Sequence, residues 1–277
     1  MINGLDFWQL TRPPFDAVNE PAFFFESDAH GEALARLAYF VTDRTMGLAA
    51  LTGEIGSGKT MTLRVLLNRL PPDLYGHAVL FTASGTFVEI LAEINGHLRG
   101  DAFRDAPAVG RAAAVAEFRH LLREKIVALG RHLLIVLDEA QFLTPACLDE
   151  LKCLTNPIDG GAPPVSLLLV GQPELKENLR SLPQVYQRLG LIYHLRHLQR
   201  AEVAAYLQHR LTIAGAARTD LFAAGCADLL FEFSGGCPRQ INRICKLAVD
   251  RACLLRQNTI DHSLLNLIIA DFKKQFA

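Results

Sequence analysis

A glycine-rich stretch early in the chain has the residue types and the spacing of a phosphate-binding loop. Residues 53–60, GEIGSGKT, fit the P-loop pattern G-x-x-x-x-G-K-[ST] and stand between a predicted strand and a predicted helix. Glycines let the backbone wrap around phosphate oxygens with its N–H groups pointing inward, and the following helix offers its positive N-terminal end. The alternative is a glycine-rich turn before an ordinary helix, with no ligand.

The pattern assigns a role to two side chains of this loop. Lys59 is expected to reach the β- and γ-phosphates of a nucleoside triphosphate, and the Thr60 hydroxyl is expected to coordinate Mg²⁺. We therefore expect ATP and Mg²⁺ as the ligands. The residues predicted to contact the nucleotide here are Gly53, Glu54, Ile55, Gly56, Ser57, Gly58, Lys59, Thr60 and Met61.

A second motif places two carboxylates at the end of a strand. The segment LLIVLDEA, residues 133–140, is an apolar strand that runs into Asp138 and Glu139. Ligands of open α/β sheets bind at the carboxyl edge of the strands, where these side chains emerge. As a Walker B motif, Asp138 would hold the Mg²⁺ and Glu139 would orient and polarise the attacking water. In the alternative interpretation, the two carboxylates only cap the next helix. For the protein to bind no nucleotide, this interpretation and the ligand-free interpretation of the loop would both have to be true.

The order of the two motifs indicates a branch of P-loop proteins. One predicted strand, residues 78–82, lies between them in sequence, and Glu139 directly follows Asp138. Both features are typical of the hydrolysing AAA+ branch. The strand at 165–170 then runs into GQPEL, which would place Gln172 beside the γ-phosphate as a sensor-1 residue. A solvated turn residue is the alternative for this glutamine.

Three arginines are candidates for contacts with the γ-phosphate. Arg188 stands just before the fifth predicted strand, where AAA+ proteins often carry an arginine finger for the next subunit; a surface arginine is the alternative. Arg239 follows a Gly-Gly-x-Pro bend in SGGCPRQINRI, residues 234–244, and resembles a sensor-2 residue in the first turn of a helix. A simple helix-start arginine is the alternative for Arg239. Arg243, one turn further along, is a weaker candidate for the same role.

The hydrophobic pattern predicts the elements that must position these residues. Short apolar runs alternate with helical segments, and one helix with an apolar face from Val115 to Leu129 ends at Gly130. We predict an α/β P-loop NTPase fold of the AAA+ type, with a five-stranded parallel sheet in residues 1–196 and a small helical lid domain in residues 197–277. The predicted strands are 47–52, 78–82, 133–137, 165–170 and 191–195, and the predicted C-terminal helices are 199–213, 220–233, 238–256 and 261–275.

The composition limits the class of protein. Of the 277 residues, 50% are hydrophobic and 21% are charged, so a globular fold with a sizeable core is expected. The formal net charge of −1 provides no bulk positive field for a nucleic acid. The N-terminus lacks the features of a signal peptide, and no apolar run approaches the ~20 residues of a membrane span, so we expect a cytoplasmic protein with no membrane span. The six cysteines form no C-x-x-C pair, which favours reduced, buried thiols.

With these motifs together, the sequence resembles the ExeA family of AAA+ ATPases, also called general secretion pathway protein A, over nearly its whole length. The resemblance implies an ATP-dependent homo-oligomer, a ring or a filament, in which Gln141 and Gln172 belong to the nucleotide-sensing shell. It also implies a relation to transposition ATPases of the TniB and TnsC kind, which assemble on DNA. The blocks that carry the resemblance are PPF with FFFESDAHGEALARLAYFV (13–41), GEIGSGKT (53–60), LLIVLDEAQ (133–141), LLLVGQPEL (167–175) and GGCPRQINRICKLA (235–248).

Three functions are compatible with these residues. The first is an ATP-hydrolysing motor or switch that acts on a protein client in the assembly of a secretion or export apparatus. The second is an ATP-dependent regulator that recruits a transposase to DNA, and the third is a scaffold that binds ATP and barely turns it over. A catalytic carboxylate at Glu139 argues against the scaffold. The basic residues in 188–200 and 208–211 are scattered and fit solvated helix faces equally well.

Overall fold

The computed structural model describes residues 4–16, 20–101, 110–157 and 162–275. Within it the chain divides into two compact units. The sheet unit consists of Glu32–Ile55 and Leu63–Leu195, and the helical unit consists of Met1–Gly31, Gly56–Thr62 and Arg196–Ala277. The helical unit therefore contains N-terminal residues and part of the glycine-rich loop as well as the C-terminal helices. The division into domains at 1–196 and 197–277 stays a prediction. Residues 17–19, in the first block of the family resemblance, lie outside the described residues.

The sheet unit is built on five parallel strands, as the sequence predicts. The strands are β1 Leu48–Gly53, β2 Tyr75–Leu80, β3 His132–Leu137, β4 Val165–Gly171 and β5 Leu189–Leu195. Their order in the sheet is β2-β3-β4-β1-β5, so β4 lies between β1 and β3. Every residue of β1, β3 and β4 is buried, as expected for apolar strands that are covered on both faces of a sheet.

The two edge strands depart from their predicted boundaries. β2 begins at Tyr75 rather than at residue 78, and β5 begins at Leu189 rather than at residue 191. Each pairs with one neighbouring strand only. The apolar run of β2 is interrupted by Gly76 and by the exposed His77, because an edge strand need not be apolar along its whole length. The hydrophobic pattern therefore predicts central strands more sharply than edge strands.

The described helices include several that the hydrophobic pattern does not predict. They are α1 Gly4–Trp8, α2 Asp28–Asp43, α3 Lys59–Arg69, α4 Phe87–Arg99, α5 Arg111–Lys125, α6 Pro145–Leu151, α7 Pro173–Arg180, α8 Pro183–Tyr186, α9 Arg200–Ile213, α10 Cys226–Ser234, α11 Pro238–Leu254 and α12 His262–Gln275. The helix predicted to end at Gly130 is α5 with a short 3-10 turn, and this glycine has a φ of 66°. No prediction was made for α4, although Thr86 and Glu89 form a capping box at its start.

The second C-terminal helix starts later than predicted. It is α10, and it begins at Cys226 rather than at residue 220. The preceding residues are held in a different conformation, since Phe222 forms an isolated parallel β-bridge with Ile260. Gly225, with a φ of 81°, turns the chain into the helix. The other three predicted C-terminal helices correspond to α9, α11 and α12 within a few residues.

None of the six cysteines, all of which lie in the described residues, forms a disulfide bond, as the sequence predicts. Five of the six are buried, so the expected burial is confirmed for Cys147, Cys226, Cys237, Cys245 and Cys253. The expectation is wrong for Cys153, which is exposed. This cysteine lies in the 3-10 turn that follows α6, where its thiol contacts the carbonyl oxygen of Asp149.

In the helical unit, a buried arginine ties the N-terminal segment to α9. Arg210 is almost fully buried, and its guanidinium donates to the carbonyl oxygens of Pro14, at 2.6 Å, and Asp16, at 3.1 Å. It also lies 4.5 Å from the ring centre of Phe23. Arg210 thus supplies hydrogen-bond donors to two backbone carbonyls, which an apolar side chain of α9 could not do.

We expect Arg210→Ala to lower the free energy of unfolding by about 2–4 kcal/mol, because the carbonyls of Pro14 and Asp16 would lose their donor inside the unit. Urea denaturation of the whole chain measures this change. The matched control is Arg218→Ala, which removes an exposed ion pair with Asp220 and should leave stability nearly unchanged. Equal stabilities of the two variants would contradict the structural role of Arg210.

Candidate functional site

The predicted phosphate-binding loop has the strand–loop–helix context that its pattern requires. β1 ends at Gly53, and α3 begins at Lys59. Gly56 and Gly58 have φ angles of 82° and 102°, which glycine adopts without strain. The backbone N–H of Thr62 donates to the Gly58 carbonyl at 2.9 Å, which closes the first turn of the helix.

Two polar side chains of the loop have the burial of a ligand site. Lys59 is only 9% exposed, and Ser57 is fully buried. The Ser57 hydroxyl has no hydrogen-bond partner within the described part of the chain. Because buried polar groups are normally hydrogen-bonded, this hydroxyl fits a polar ligand. The positive charge of the neighbouring buried Lys59 favours an anionic ligand such as a phosphate.

The start of α11 packs against the same loop within the helical unit. A Cβ atom added to Gly56 would lie 2.8 Å from the Cβ of Arg239 and 2.8 Å from the sulfur of Cys237. The sensor-2 candidate Arg239 is therefore beside the loop. The weaker candidate, Arg243, lies with its guanidinium 4.7 Å from the ring centre of Phe272 in α12. Of the two arginines, Arg239 is the better placed for contact with a ligand of the loop.

A buried histidine at the start of α2 contacts the loop from another side. The Nε2 atom of His30 is 2.9 Å from the Ser57 carbonyl oxygen, and its Nδ1 atom is 2.7 Å from the Ser27 hydroxyl. Burial lowers the pKa of His30, and the bond to the Ser57 carbonyl partly opposes this effect. Sequence reasoning did not single out His30. The only signal for it was its place in the first block of the family resemblance.

In the sheet unit, Asp138 directly follows β3 and is fixed through its backbone. Its N–H donates to the Leu80 carbonyl at 2.8 Å, and its carbonyl accepts from the Ala83 N–H at 3.0 Å. The side chain is buried, and its Oδ1 accepts from the backbone N–H of Glu139 at 2.9 Å. The carboxylate is thereby held at the carboxyl edge of the sheet.

The carboxylate of Glu139 is held by two glutamine amides. Its Oε2 accepts from Gln141 Nε2 at 2.6 Å and from Gln172 Nε2 at 3.5 Å. Gln141 also accepts from the backbone N–H of Gln172 at 3.2 Å through its Oε1. The structure therefore brings these three predicted residues together.

The backbone around this network has an unusual conformation at Glu139 and a close side-chain contact at Gly171. Glu139 has a φ of 55°, a left-handed conformation that costs a residue with a side chain about 1–3 kcal/mol. Gly171 precedes Gln172, and a Cβ added to it would lie 2.5 Å from Gln141 Oε1. Neither feature was predicted from the sequence. Strained backbone of this kind is concentrated at functional sites.

Arg188 is exposed and lies immediately before β5. Its guanidinium donates to the Asn156 side-chain oxygen at 2.7 Å. This hydrogen bond is separate from the network around Glu139, so the structure does not bring Arg188 together with Gln141 and Gln172. An exposed position before an edge strand is compatible with contact to another subunit.

The strand order relates the two motifs within the sheet. β1 and β3 are parallel members of one sheet, so Gly53 and Asp138 leave it at the same carboxyl edge. β4 lies between them, and Gln172, the residue that follows its end, lies at the same edge. This is the edge at which open α/β sheets bind ligands.

A P-loop after β1, a carboxylate pair after β3 and a parallel β2-β3-β4-β1-β5 sheet followed by helices define the AAA+ class of P-loop proteins, and the chain belongs to this class. Residues 42–179 match the AAA domain family. The chain is related to general secretion pathway protein A of Aeromonas hydrophila, with 35% identity over 263 residues, which make up 94% of this chain and 47% of that protein. The chain thus spans about half the length of this curated relative.

Solved structures support the fold assignment. The ORC2 protein of Aeropyrum pernix superimposes with a TM-score of 0.72 at 19% identity, over 94% of this chain and 71% of that one. Cdc6p of Pyrobaculum aerophilum gives a TM-score of 0.67 at 19% identity, over 88% and 68% of the two chains. RuvB of Thermotoga maritima gives 0.55 at 16% identity, over 89% and 70%. At these identities the similarity establishes the fold alone.

None of the helices in the described part of the chain combines the length and the apolar character needed to cross a bilayer.

Proposed function

We propose that the protein binds ATP with Mg²⁺ and hydrolyses it. The observation that carries the proposal is the Glu139 carboxylate, which two glutamine amides orient at the sheet edge where the strand before the P-loop also ends. A protein that only bound the nucleotide would have no need of a carboxylate oriented in this way.

The phosphates are bound by the glycine-rich loop, whose residues 53–61 contact the nucleotide. Lys59 neutralises charge on the β- and γ-phosphates, and the backbone N–H groups of the loop donate to their oxygens. Thr60 and Asp138 would hold the Mg²⁺, since hydroxyl and carboxylate oxygens are ligands that this hard cation prefers. When bound, Mg²⁺ would offset the charge that develops on the phosphate oxygens.

Glu139 orients the attacking water and accepts its proton. The amide of Gln141, at 2.6 Å, fixes the direction of this carboxylate before the reaction. The contact from Gln172 is long, at 3.5 Å, so this amide can turn to a γ-phosphate oxygen at little cost. Arg239, from the helix beside Gly56, acts as the second sensor of the γ-phosphate.

We propose further that hydrolysis is completed in a homo-oligomer. The exposed Arg188 is offered to the γ-phosphate of the next subunit, where its charge stabilises the transition state. The similarity to general secretion pathway protein A supports a role as an ATP-driven motor or switch in the assembly of a secretion or export apparatus. We propose that the protein acts from the cytoplasm. The client would be a protein of that apparatus.

Phosphate release from ATP by the purified chain tests the proposal. We expect turnover that depends on Mg²⁺, is abolished by chelation and rises per subunit with protein concentration, because sites that share Arg188 are completed by assembly. The control is Lys59→Ala, prepared in the same way to exclude a contaminating ATPase. Phosphate release at equal rates by the wild type and this variant would contradict the proposal.

A DNA-dependent function of the TniB or TnsC type is the second candidate, and we expect weak or no binding to duplex DNA at physiological salt. The net charge of −1 and the scattered basic residues provide few phosphate contacts. Fluorescence anisotropy across a salt series measures the affinity, with the Glu139→Gln variant and ATP present so that any assembled state is maintained. Tight, ATP-dependent binding with a steep salt dependence would favour the DNA-dependent function over the secretion role.

A further inference from the structure

We propose that His30 is a positioning residue of the ATP site, which aims the backbone N–H of Gly58 at the phosphates. This inference rests on the proposed ATP binding. It concerns a residue outside the P-loop and outside the carboxylate motif, 27 positions before Ser57 in sequence.

The hydrogen bonds determine which nitrogen of His30 carries the proton. A backbone carbonyl oxygen can only accept, so the 2.9 Å contact requires that His30 Nε2 donates to the Ser57 carbonyl. In the neutral imidazole, Nδ1 is then an acceptor, and the Ser27 hydroxyl donates a hydrogen bond to it at 2.7 Å. Burial lowers the pKa of His30 and so favours this neutral form.

The bond to the Ser57 carbonyl fixes the direction of the next N–H. A trans peptide unit is planar, so the Ser57 carbonyl and the Gly58 N–H point in opposite directions. With the carbonyl anchored on the imidazole, the Gly58 N–H is turned to the other side of the loop. Backbone N–H groups that point to one side of a turn form an anion-binding concavity.

The space around Gly58 is matched to the imidazole. The φ of 102° at this residue is one that glycine adopts readily. A Cβ added there would lie 2.7 Å from His30 Nε2, so the ring occupies the volume that any side chain would need. The side-chain hydroxyl of Ser57 is buried and has no partner among the described residues. His30 thus contacts Ser57 through its backbone carbonyl and not through its hydroxyl.

The imidazole is itself held rigidly. His30 is the third residue of α2 and is 5% exposed. The Ser27 hydroxyl contacts its ring nitrogen and, at 3.4 Å, its backbone N–H. The ring of Phe24 meets the imidazole edge to face at 5.8 Å. A donor that cannot turn is suited to fixing the orientation of one peptide.

Two substitutions separate positioning from simple filling of space. The amide nitrogen of a glutamine can reach the place of His30 Nε2, whereas the shorter asparagine reaches only the place of Nδ1. We expect His30→Gln to bind ATP and Mg²⁺ within about threefold of the wild type, and His30→Asn to bind about tenfold more weakly or worse, since a donated hydrogen bond to the loop is lost. Calorimetric titration gives both affinities.

Further measurements distinguish an error in the positioning role of His30 from an error in the proposed ATP binding. Melting temperatures without nucleotide should be similar for the two variants, and Ser27→Ala, which frees the imidazole without removing it, should weaken ATP binding several-fold. Equal affinities of His30→Gln and His30→Asn, whether high or low, would overturn the inference. If the wild type binds ATP, Lys59→Ala does not, and His30→Asn binds like the wild type, the positioning role alone is wrong. A wild type that does not bind ATP overturns the proposed function itself.

Discussion

Replacement of Glu139 by glutamine leaves ATP binding intact and lowers the rate of hydrolysis by about 10²–10⁴-fold, the usual loss when a general base is removed. The glutamine side chain has nearly the same shape and retains an acceptor for Gln141 and Gln172, so the backbone around residue 139 should keep its conformation. It has no carboxylate to accept a proton from water. Calorimetry with ATP and Mg²⁺ gives the affinity, and single-turnover phosphate release gives the rate.

The matched control for this substitution is Glu174→Gln. Glu174 lies exposed in the first turn of α7, close in sequence to Gln172, and its replacement should change neither affinity nor rate. Hydrolysis by Glu139→Gln at the wild-type rate would show that Glu139 does not accept the proton of the attacking water. Loss of ATP binding in this variant would assign Glu139 a structural role in place of the catalytic one.

Replacement of Arg188 by alanine lowers hydrolysis by about 10³-fold while ATP affinity stays unchanged, because an arginine finger acts on the transition state and not on the bound nucleotide. The arginine belongs to a site on the neighbouring subunit, so the defect should be complemented. Subunits with Arg188→Ala retain an intact nucleotide site, and subunits with Lys59→Ala retain the finger. Mixed oligomers of the two should therefore regain hydrolysis that neither has alone.

Asn156→Ala is the control for the finger. It removes the hydrogen bond that Arg188 makes within its own subunit and leaves the guanidinium in place, so it should retain most of the hydrolysis rate. Absence of complementation, under conditions where the two kinds of subunit co-assemble, would exclude the shared site. A loss in Asn156→Ala as large as that in Arg188→Ala would indicate a role within the subunit.

The hydrophobic pattern was sufficient to predict the central strands of the sheet. β1, β3 and β4 are buried on both faces, so their sequences are continuous apolar runs with sharp ends. β2 and β5 lie at the edges, and the pattern misplaced their first residues. The start of α4 has a recognisable capping box at Thr86 and Glu89, a polar signal that a pattern of apolar residues does not contain.

Local motifs identified the residues of the candidate site but not their arrangement. The left-handed backbone of Glu139 and the packing of Gly171 against Gln141 depend on tertiary contacts that no spacing rule reports. The same holds for His30, because its contact with Ser57 joins residues far apart in sequence through side-chain burial. A motif indicates which chemistry a residue type can perform, whereas orientation is determined by neighbours from other elements.

The central claim is that the loop at residues 53–60 binds the phosphates of ATP through Lys59, and calorimetric titration of the wild type and of Lys59→Ala with ATP and Mg²⁺ tests it most directly. The account predicts saturable binding of one ATP per subunit by the wild type. It predicts no measurable binding by Lys59→Ala, at an unchanged melting temperature without nucleotide. Equal ATP affinities of the two proteins would contradict it.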